Sequence, residues 1–196
     1  MKNKLIILLL LTLYAITKAQ KNDTIFIKND KFQKVFIDKN KNSDFYKLIS
    51  DFTGFNTVKN FIKVNNQILN SKWIQVHNYK GEYFLYYPCD QINDLKYVIN
   101  SDQIQIKNSE IVTYSIISLK KRKKNINIKY QEPNSQNQIL LRIKPIDQEN
   151  GIYKFITFSG NQQYERIMLQ SDKYKNFNLI VNECIENKAN ELDFEH

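Results

Sequence analysis

The sequence predicts a single mainly-β domain, built as an antiparallel β-barrel or a barrel-like sandwich, with a small strand and helix element at its N-terminal end. Two observations predict this fold. Residues 71–88 read as a β-hairpin in which both faces are apolar or aromatic, so both faces need cover. The chain after this hairpin is a series of short apolar runs, at intervals of about 8–12 residues, with turn residues between them. The length of 196 residues fits one domain of ordinary size.

Residues 1–20 have the pattern of a secretory signal peptide. Lys2 and Lys4 form a positively charged start, an almost unbroken apolar run from Leu5 to Ile16 follows, and Ala19 marks a cleavage site. The alternative is an uncleaved anchor, but the run is shorter than the roughly 20 apolar residues of a membrane-spanning helix. We therefore expect export to the periplasm or the cell exterior, with no transmembrane span after cleavage. Cleavage lowers the net charge from +9 to +6, because the lost residues include three lysines and no acid.

Residues 21–70 predict the small element that covers one end or face of the barrel. Thr24 to Ile27 and Lys34 to Asp38 have the pattern of short strands, and Ser43 is a suitable helix N-cap. Two apolar stripes at helical spacing follow, which predict two short helices that pack on a core. The stripes consist of Phe45, Leu48, Ile49 and Phe52, and of Phe55, Val58, Phe61 and Ile62.

The central hairpin turns at Lys80-Gly81, because Gly81 supplies the positive φ of a two-residue turn. This turn predicts the pairs Tyr79 with Glu82, His77 with Phe84, Val76 with Leu85 and Ile74 with Tyr87. One face then carries Ile74, Val76, Tyr83, Leu85 and Tyr87. The other face carries Trp73, His77, Tyr79, Phe84 and Tyr86.

The remaining strands are predicted from β-branched and aromatic runs bounded by Asn, Ser, Pro and Gly. Residues 71–181 are expected to form the barrel, and residues 182–196 an acidic, weakly helical C-terminal tail. The predicted strands are Leu95 to Ile99, Gln103 to Ile106, Ile111 to Leu119, Ile126 to Tyr130, Gln138 to Ile143, Ile152 to Phe158, Glu165 to Leu169 and Phe177 to Val181.

Cys89 and Cys184 are the only two cysteines. In an oxidising compartment two cysteines favour one disulfide, and two separate buried thiols are the alternative.

From Trp73 onward, the series of antiparallel strands followed by a C-terminal segment resembles the calycin group of β-barrels, the lipocalins and their relatives. Lipocalins carry a Gly-x-Trp motif on their first barrel strand, and Ser71-Lys72-Trp73 stands at the matching positions, with serine in place of glycine. A disulfide between the barrel and the C-terminal tail is also lipocalin-like, and Cys89 with Cys184 would supply it. The resemblance implies a barrel.

The sequence indicates a non-enzymatic protein. His77 and the terminal His196 are the only histidines, and no Gly-x-Ser-x-Gly elbow, glycine-rich phosphate loop or metal-ligand cluster is present. We therefore predict no catalytic residue, no cofactor and no metal. A carboxylate-dependent hydrolase remains a minor hypothesis, since acids near predicted turns need no histidine partner. Such acids are Glu82, Asp90, Asp94 and Glu110.

Five consecutive cations follow the Ile111 to Leu119 strand and are expected to cap a hairpin. They are Lys120, Lys121, Arg122, Lys123 and Lys124. Such a cluster attracts anions through long-range forces, and lipopolysaccharide, a membrane surface, an acidic protein partner or an anionic small ligand are candidates. The alternative is a solvated turn that keeps a sheet edge soluble. Nucleic acid is not expected, because no aromatic stacking platform accompanies the charge.

The favoured function is non-enzymatic binding of a hydrophobic or amphipathic small molecule outside the cytoplasm. The residues expected to line the pocket are Trp73, His77, Tyr79, Phe84 and Tyr86, with the histidine and the hydroxyls orienting the ligand. The same side chains could instead fill a closed core. A second hypothesis is a protein-interaction module, in which Tyr83, Tyr86 and Tyr87 would be exposed as interface anchors.

Overall fold

The computed structural model describes residues 24–55, 71–89, 95–184 and 191–194. The signal sequence and the second helical stripe lie outside these residues, apart from Phe55 at the boundary. Within them, the chain forms twelve strands, one α-helix and one 3-10 helix. The strands are β1 (Thr24–Asn29), β2 (Gln33–Asp38), β3 (Ser71–Tyr79), β4 (Glu82–Tyr87), β5 (Lys96–Ile99), β6 (Gln103–Lys107), β7 (Ile111–Arg122), β8 (Asn125–Gln131), β9 (Gln138–Asp147), β10 (Ile152–Ser159), β11 (Gln162–Gln170) and β12 (Leu179–Cys184), and the helices are α1 (Asp44–Ile49) and the 3-10 helix Ser171–Asn176.

Eight antiparallel strands close into a barrel. Strands β5 to β11 each pair with the next in chain order, and β3 closes the circle by pairing with both β11 and β5. The predicted mainly-β barrel class is confirmed. Of the strands after residue 70, β4 and β12 stand outside the closed barrel.

Strand β3 belongs to two sheets at once. Its first half, Ser71 to Ile74, pairs with β5, and its second half, Val76 to Tyr79, pairs with β4. From β4 an extension of the sheet continues through β12, β2 and β1. The β12–β4 pair is parallel, while the other pairs are antiparallel. The N-terminal strands therefore enlarge this extension and do not enter the barrel.

The barrel interior is filled by side chains. Seven of the eight strands contribute buried residues to one cluster, which includes Trp73 and Phe155, and partly buried side chains of β7 pack against it. The indole ring of Trp73 is fully buried and meets the rings of Tyr153 and Phe155 edge-on at centroid distances of 5.2 and 5.0 Å.

A second cluster joins the outside of the barrel to the extension and to α1. Ile74 and Leu169 contribute from the barrel wall, Leu85 and Leu179 from the extension, and Tyr46 from the helix. The helix confirms the first predicted stripe only in part, because Leu48 is 48% exposed and Phe52 lies beyond the helix end. Its N-cap is Ser43, as predicted, and the Ser43 hydroxyl accepts a hydrogen bond from the Tyr46 amide.

The hairpin has the predicted turn, and the three predicted pairs nearest the turn are confirmed. Tyr79 lies opposite Glu82, His77 opposite Phe84 and Val76 opposite Leu85. The fourth prediction was wrong, because β3 has left β4 for the barrel at that position, and Ile74 lies opposite Lys96 of β5 and Leu169 of β11 instead of Tyr87. Lys80 and Gly81 both have positive φ, at 53° and 81°. The expectation that both faces are covered holds as well, because the two faces contribute to different buried clusters.

The sequence also predicted the disulfide, and Cys89 is bonded to Cys184 with a Cα–Cα distance of 5.4 Å. Among the described residues, no helix is both long enough and apolar enough to cross a membrane.

Candidate functional site

A cleft opens where β3 and β11 separate. The two strands pair only between Trp73–Gln75 and Met168–Gln170. Beyond this short ladder β3 follows β4 into the extension, while β11 stays with β10 along the barrel wall. The space between them is about 960 Å³ in volume. It lies at one end of the barrel, the barrel mouth, because Leu95, which packs against the barrel core, and Arg166, which lies opposite the core residue Phe155, both line it.

One wall of the cleft is aromatic. The rings of His77 and Tyr86 lie 5.5 Å apart, and Phe194 from the C-terminal segment packs on both of them, at 4.3 and 4.7 Å. Tyr83 also lines the cleft. Such a wall offers a flat apolar surface with ring nitrogens and hydroxyls at its border.

The opposite wall is polar and charged. Arg166 and Lys154 bring two cations, and Glu165 brings a carboxylate. Lys154 and Glu165 form an ion pair at 2.8 Å. A hydrogen bond and the charge of Lys154 hold the pKa of the Glu165 carboxyl below its ordinary value.

A buried polar network fixes the C-terminal segment beside the cleft. The Tyr86 hydroxyl donates to the Glu191 carboxylate and accepts from Asn182 Nδ2 at 2.9 Å and from the Leu192 amide at 3.2 Å. Asn182 Nδ2 also donates to Glu191 Oε2 at 3.1 Å. Burial and the bond to Glu191 raise the pKa of the Tyr86 phenol, so this hydroxyl stays a donor. The network holds Leu192 and Phe194 in place.

The structure places the five predicted pocket residues at three locations. His77 and Tyr86 line the cleft. Tyr79 and Phe84 lie on the same face of the hairpin, 6.1 Å apart, within the cluster that covers the extension. Trp73 is enclosed in the barrel core.

The predicted anion-binding residues form an exposed hairpin tip. Strand β7 continues through Arg122, so only Lys123 and Lys124 form the turn. The side chains of all five cations are exposed.

Sequence reasoning missed part of the cleft lining, above all Arg166, Leu192 and Phe194. The isolated apolar residues of the acidic tail were the available signal for Leu192 and Phe194. No local sequence pattern identifies Arg166 as a cleft residue, because its position depends on where the ladder between β3 and β11 ends.

A smaller cavity of about 140 Å³ lies beside α1. Lys96 is 1% exposed there, and its ammonium donates to the carbonyls of Leu48 at 3.4 Å and Asp51 at 2.8 Å. These carbonyls lie at and just beyond the C-terminal end of the helix, where a cation is favourable. The contacts identify Lys96 as a helix cap.

Within residues 24–55, 71–89, 95–184 and 191–194, no group of three or more His, Cys, Asp or Glu side chains could hold a metal ion. Comparison of the chain with protein-family models, with curated proteins and with solved structures finds no match.

Proposed function

We propose that the protein is an exported, non-enzymatic binding protein for an amphipathic small molecule, and that the molecule occupies the cleft between β3 and β11. The observation that carries this proposal is the pairing of an aromatic wall with a cation across about 960 Å³ of open space. A ligand with a flat apolar body would pack on His77 and Phe194, and an anionic group on it would meet Arg166.

Two features support an address outside the cytoplasm. The first 20 residues have the signal-peptide pattern. The Cys89–Cys184 disulfide is a bond that persists in oxidising compartments. A calycin-like relationship is supported by the closed eight-stranded barrel with Trp73 on its first strand.

Two of the three carboxylates that line the cleft, Glu165 and Glu191, favour binding over hydrolysis. A glycosidase-type general acid needs a raised pKa, so that it carries a proton near neutral pH. The pKa of Glu165 is lowered instead, and Glu191 accepts hydrogen bonds that fix the tail.

Native mass spectrometry of the protein, purified after export from a bacterial host, is the first test. We expect a native mass that exceeds the denatured mass by the mass of a small molecule. Titration with anilinonaphthalene sulfonate, a flat aromatic probe with one anionic group, then tests the location. We expect His77→Ala and Arg166→Gln each to weaken probe binding at least roughly fivefold, about 1 kcal/mol, through loss of a ring contact or a charge-assisted bond.

Lys39→Gln is the matched control, because it removes an exposed cation that does not line the cleft. We expect it to bind the probe as the wild type does. Equal weakening in Arg166→Gln and Lys39→Gln would overturn the proposed location, and the absence of both a native adduct and probe binding would overturn the proposed function.

A second candidate is protein interaction through the open side of β11. Residues Gln162 to Arg166 are exposed and pair with β10 on one side, while the ladder to β3 begins only at Met168. Such an edge can accept another strand. Sedimentation over a range of concentrations tests self-pairing, and Tyr164→Lys should abolish any dimer, because a charge at an edge opposes strand addition.

A further inference from the structure

We propose that the outer wall of the barrel from β7 to β10, with the turn that joins β7 to β8, docks on an anionic lipid surface. We call this surface the cationic wall. It consists of the outward side chains of residues 118–122, 125–131, 138–144 and 154–158, together with Lys123 and Lys124. It shares only Lys154 with the lining of the cleft, and the variants that test it change no cleft residue, so the proposal does not depend on the proposed small-molecule function.

Strand alternation defines which side chains point outward. Ile126, Ile128, Leu141 and Ile143 are at most 1% exposed and belong to the barrel core. Since successive side chains of a strand point to opposite faces, their neighbours point away from the core. The register between β8 and β9 then places Asn127 beside Arg142 on the outer surface.

The outward positions carry cations and no carboxylate. Across the four segments, the outward residues other than the cations are Ser, Asn, Gln, Leu, Ile and Phe. The outward cations are Lys120, Arg122, Lys129, Arg142, Lys144 and Lys154. Lys123 and Lys124 extend this array at the exposed hairpin turn.

Acidic residues bound the wall at its edges. Glu165, on the neighbouring strand β11, forms an ion pair with Lys154. Glu132 follows β8, Asp147 is the last residue of β9, and Glu149 lies in the turn between β9 and β10. The positive potential is therefore concentrated between these boundaries, on β7, β8 and β9.

The shape of the array favours a lipid surface over a linear polymer. A protein that follows a polyanionic strand needs a groove that tracks it. The cationic wall is instead the convex outside of a barrel, with cations distributed over several strands. Six of its eight cations are lysines, whose compact charges suit diffuse attraction to many headgroups.

Apolar side chains beside the charges support the same partner. The Arg142 guanidinium lies 5.3 Å from the ring centroid of Phe158, and its Nε donates to Asn127 Oδ1 at 3.1 Å. Ile117 is 46% exposed at the irregular pairing of β7 with β8. Such groups can contact the acyl boundary of a bilayer while the lysines meet the headgroups.

Vesicle cosedimentation of the exported protein tests the proposal. One set of vesicles contains phosphatidylcholine with phosphatidylglycerol, and the other contains phosphatidylcholine alone, which reports any binding through the apolar N-terminus. We expect binding to the anionic vesicles at about 0.1 M salt, with a large loss at about 0.5 M salt, because screening shortens the range of the attraction.

The test variant combines Lys120→Gln, Arg122→Gln and Lys124→Gln. We expect it to partition onto anionic vesicles at least roughly tenfold less than the wild type, since each cation near the surface adds to the attraction. The control variant removes the same charge elsewhere through Lys31→Gln, Lys39→Gln and Lys175→Gln, all exposed residues, and should bind within about twofold of the wild type.

Equal losses in the two triple variants would overturn the proposal, because the effect would then follow net charge and not the cationic wall. Binding to soluble polyphosphate without binding to anionic vesicles would also overturn it, in favour of a linear polyanion. Equal binding to neutral and anionic vesicles would overturn it as well. Matching urea midpoints of all three proteins confirm that each variant is folded.

Discussion

Buried tyrosines inside the barrel make the stability of the folded protein depend on pH, and Tyr97 is an example. Tyr97 is 6% exposed, and its ring lies 5.3 Å from that of Phe155. Burial raises the pKa of the Tyr97 phenol from 10.0 to about 12. The folded state therefore holds this proton more tightly than the unfolded state does, and stability is lost as the pH rises from about 10 towards about 12.

Tyr97→Phe should make stability less sensitive to alkaline pH. At about pH 11 an unfolded tyrosine is largely ionised while Tyr97 in the folded protein is largely protonated, so this residue costs roughly 1 kcal/mol of stability relative to pH 8. The variant keeps the buried ring and removes this cost. Urea unfolding at pH 8 and pH 11 measures it, with the pH 8 difference between the two proteins as the baseline. Parallel declines in both proteins would contradict the prediction.

At the level of single residues, the sequence correctly predicts which face of the hairpin a side chain lies on. It does not predict whether that side chain enters the barrel core or the cleft. Trp73 and His77 were assigned to one face of the hairpin, and they do share it. The barrel mouth lies between them, so Trp73 enters the core and His77 reaches the cleft. The position of the mouth depends on where β11 and β5 pair with β3, and a long-range register of this kind leaves no local pattern.

At the level of elements, the hairpin turn shows that a local sequence pattern can be sufficient to predict a structure. Both central residues of the turn have positive φ, and Asn78 Oδ1 accepts a hydrogen bond from the Gly81 amide at 3.0 Å. A two-residue loop of this type favours Asn-Gly or Gly-Gly, because side chains other than Gly, Asn and Asp are strained there. Lys80 is therefore the weak position of the turn.

Two substitutions at this turn should have opposite effects on stability. Gly81→Ala should lower the free energy of unfolding by about 1 kcal/mol, since the left-handed conformation costs an L-residue that amount. No heavy atom lies within 4 Å of a Cβ placed at Gly81, so a clash cannot account for the loss. Lys80→Asn should raise the free energy of unfolding by a few tenths of a kcal/mol. Urea unfolding measures both, and a shift of the same sign in both variants would exclude this explanation.

For the other elements, the sequence predicts where strands lie along the chain but not which strands pair with each other. All strands from Thr24 to Cys184 that the structure describes correspond to predicted runs, because alternation and turn residues are local. The parallel pairing of β12 with β4 was not predicted, and neither was the branching of β3 into two sheets. Both depend on contacts between segments about 95 residues apart, such as the bonded Cys89 and Cys184.

For the whole molecule, the disulfide joins the end of β4 to the end of β12. These strands are parallel and in register from Leu179 opposite Leu85, so their C-terminal ends meet and bring Cys89 and Cys184 together. The Cα–Cα distance of 5.4 Å is ordinary for a bridge. The Cys89 amide also donates to Glu191 Oε2 at 3.4 Å, which connects the bridge to the segment beside the cleft.

The double variant Cys89→Ser with Cys184→Ser should therefore be less stable than the oxidised wild type. Opening a loop with a sequence separation of 95 residues returns conformational entropy to the unfolded chain. For a loop of this length the loss is at most about 4–5 kcal/mol. Urea unfolding should show a lower midpoint for the variant, and wild-type protein with a reducing agent should match the variant.

Since β12 already pairs with both β2 and β4, the folded state has no need of the bridge to hold the strand, and the loss arises in the unfolded chain. A loss below about 1 kcal/mol would show instead that the unfolded chain gains little freedom when the bridge is absent, contrary to the chain-entropy account.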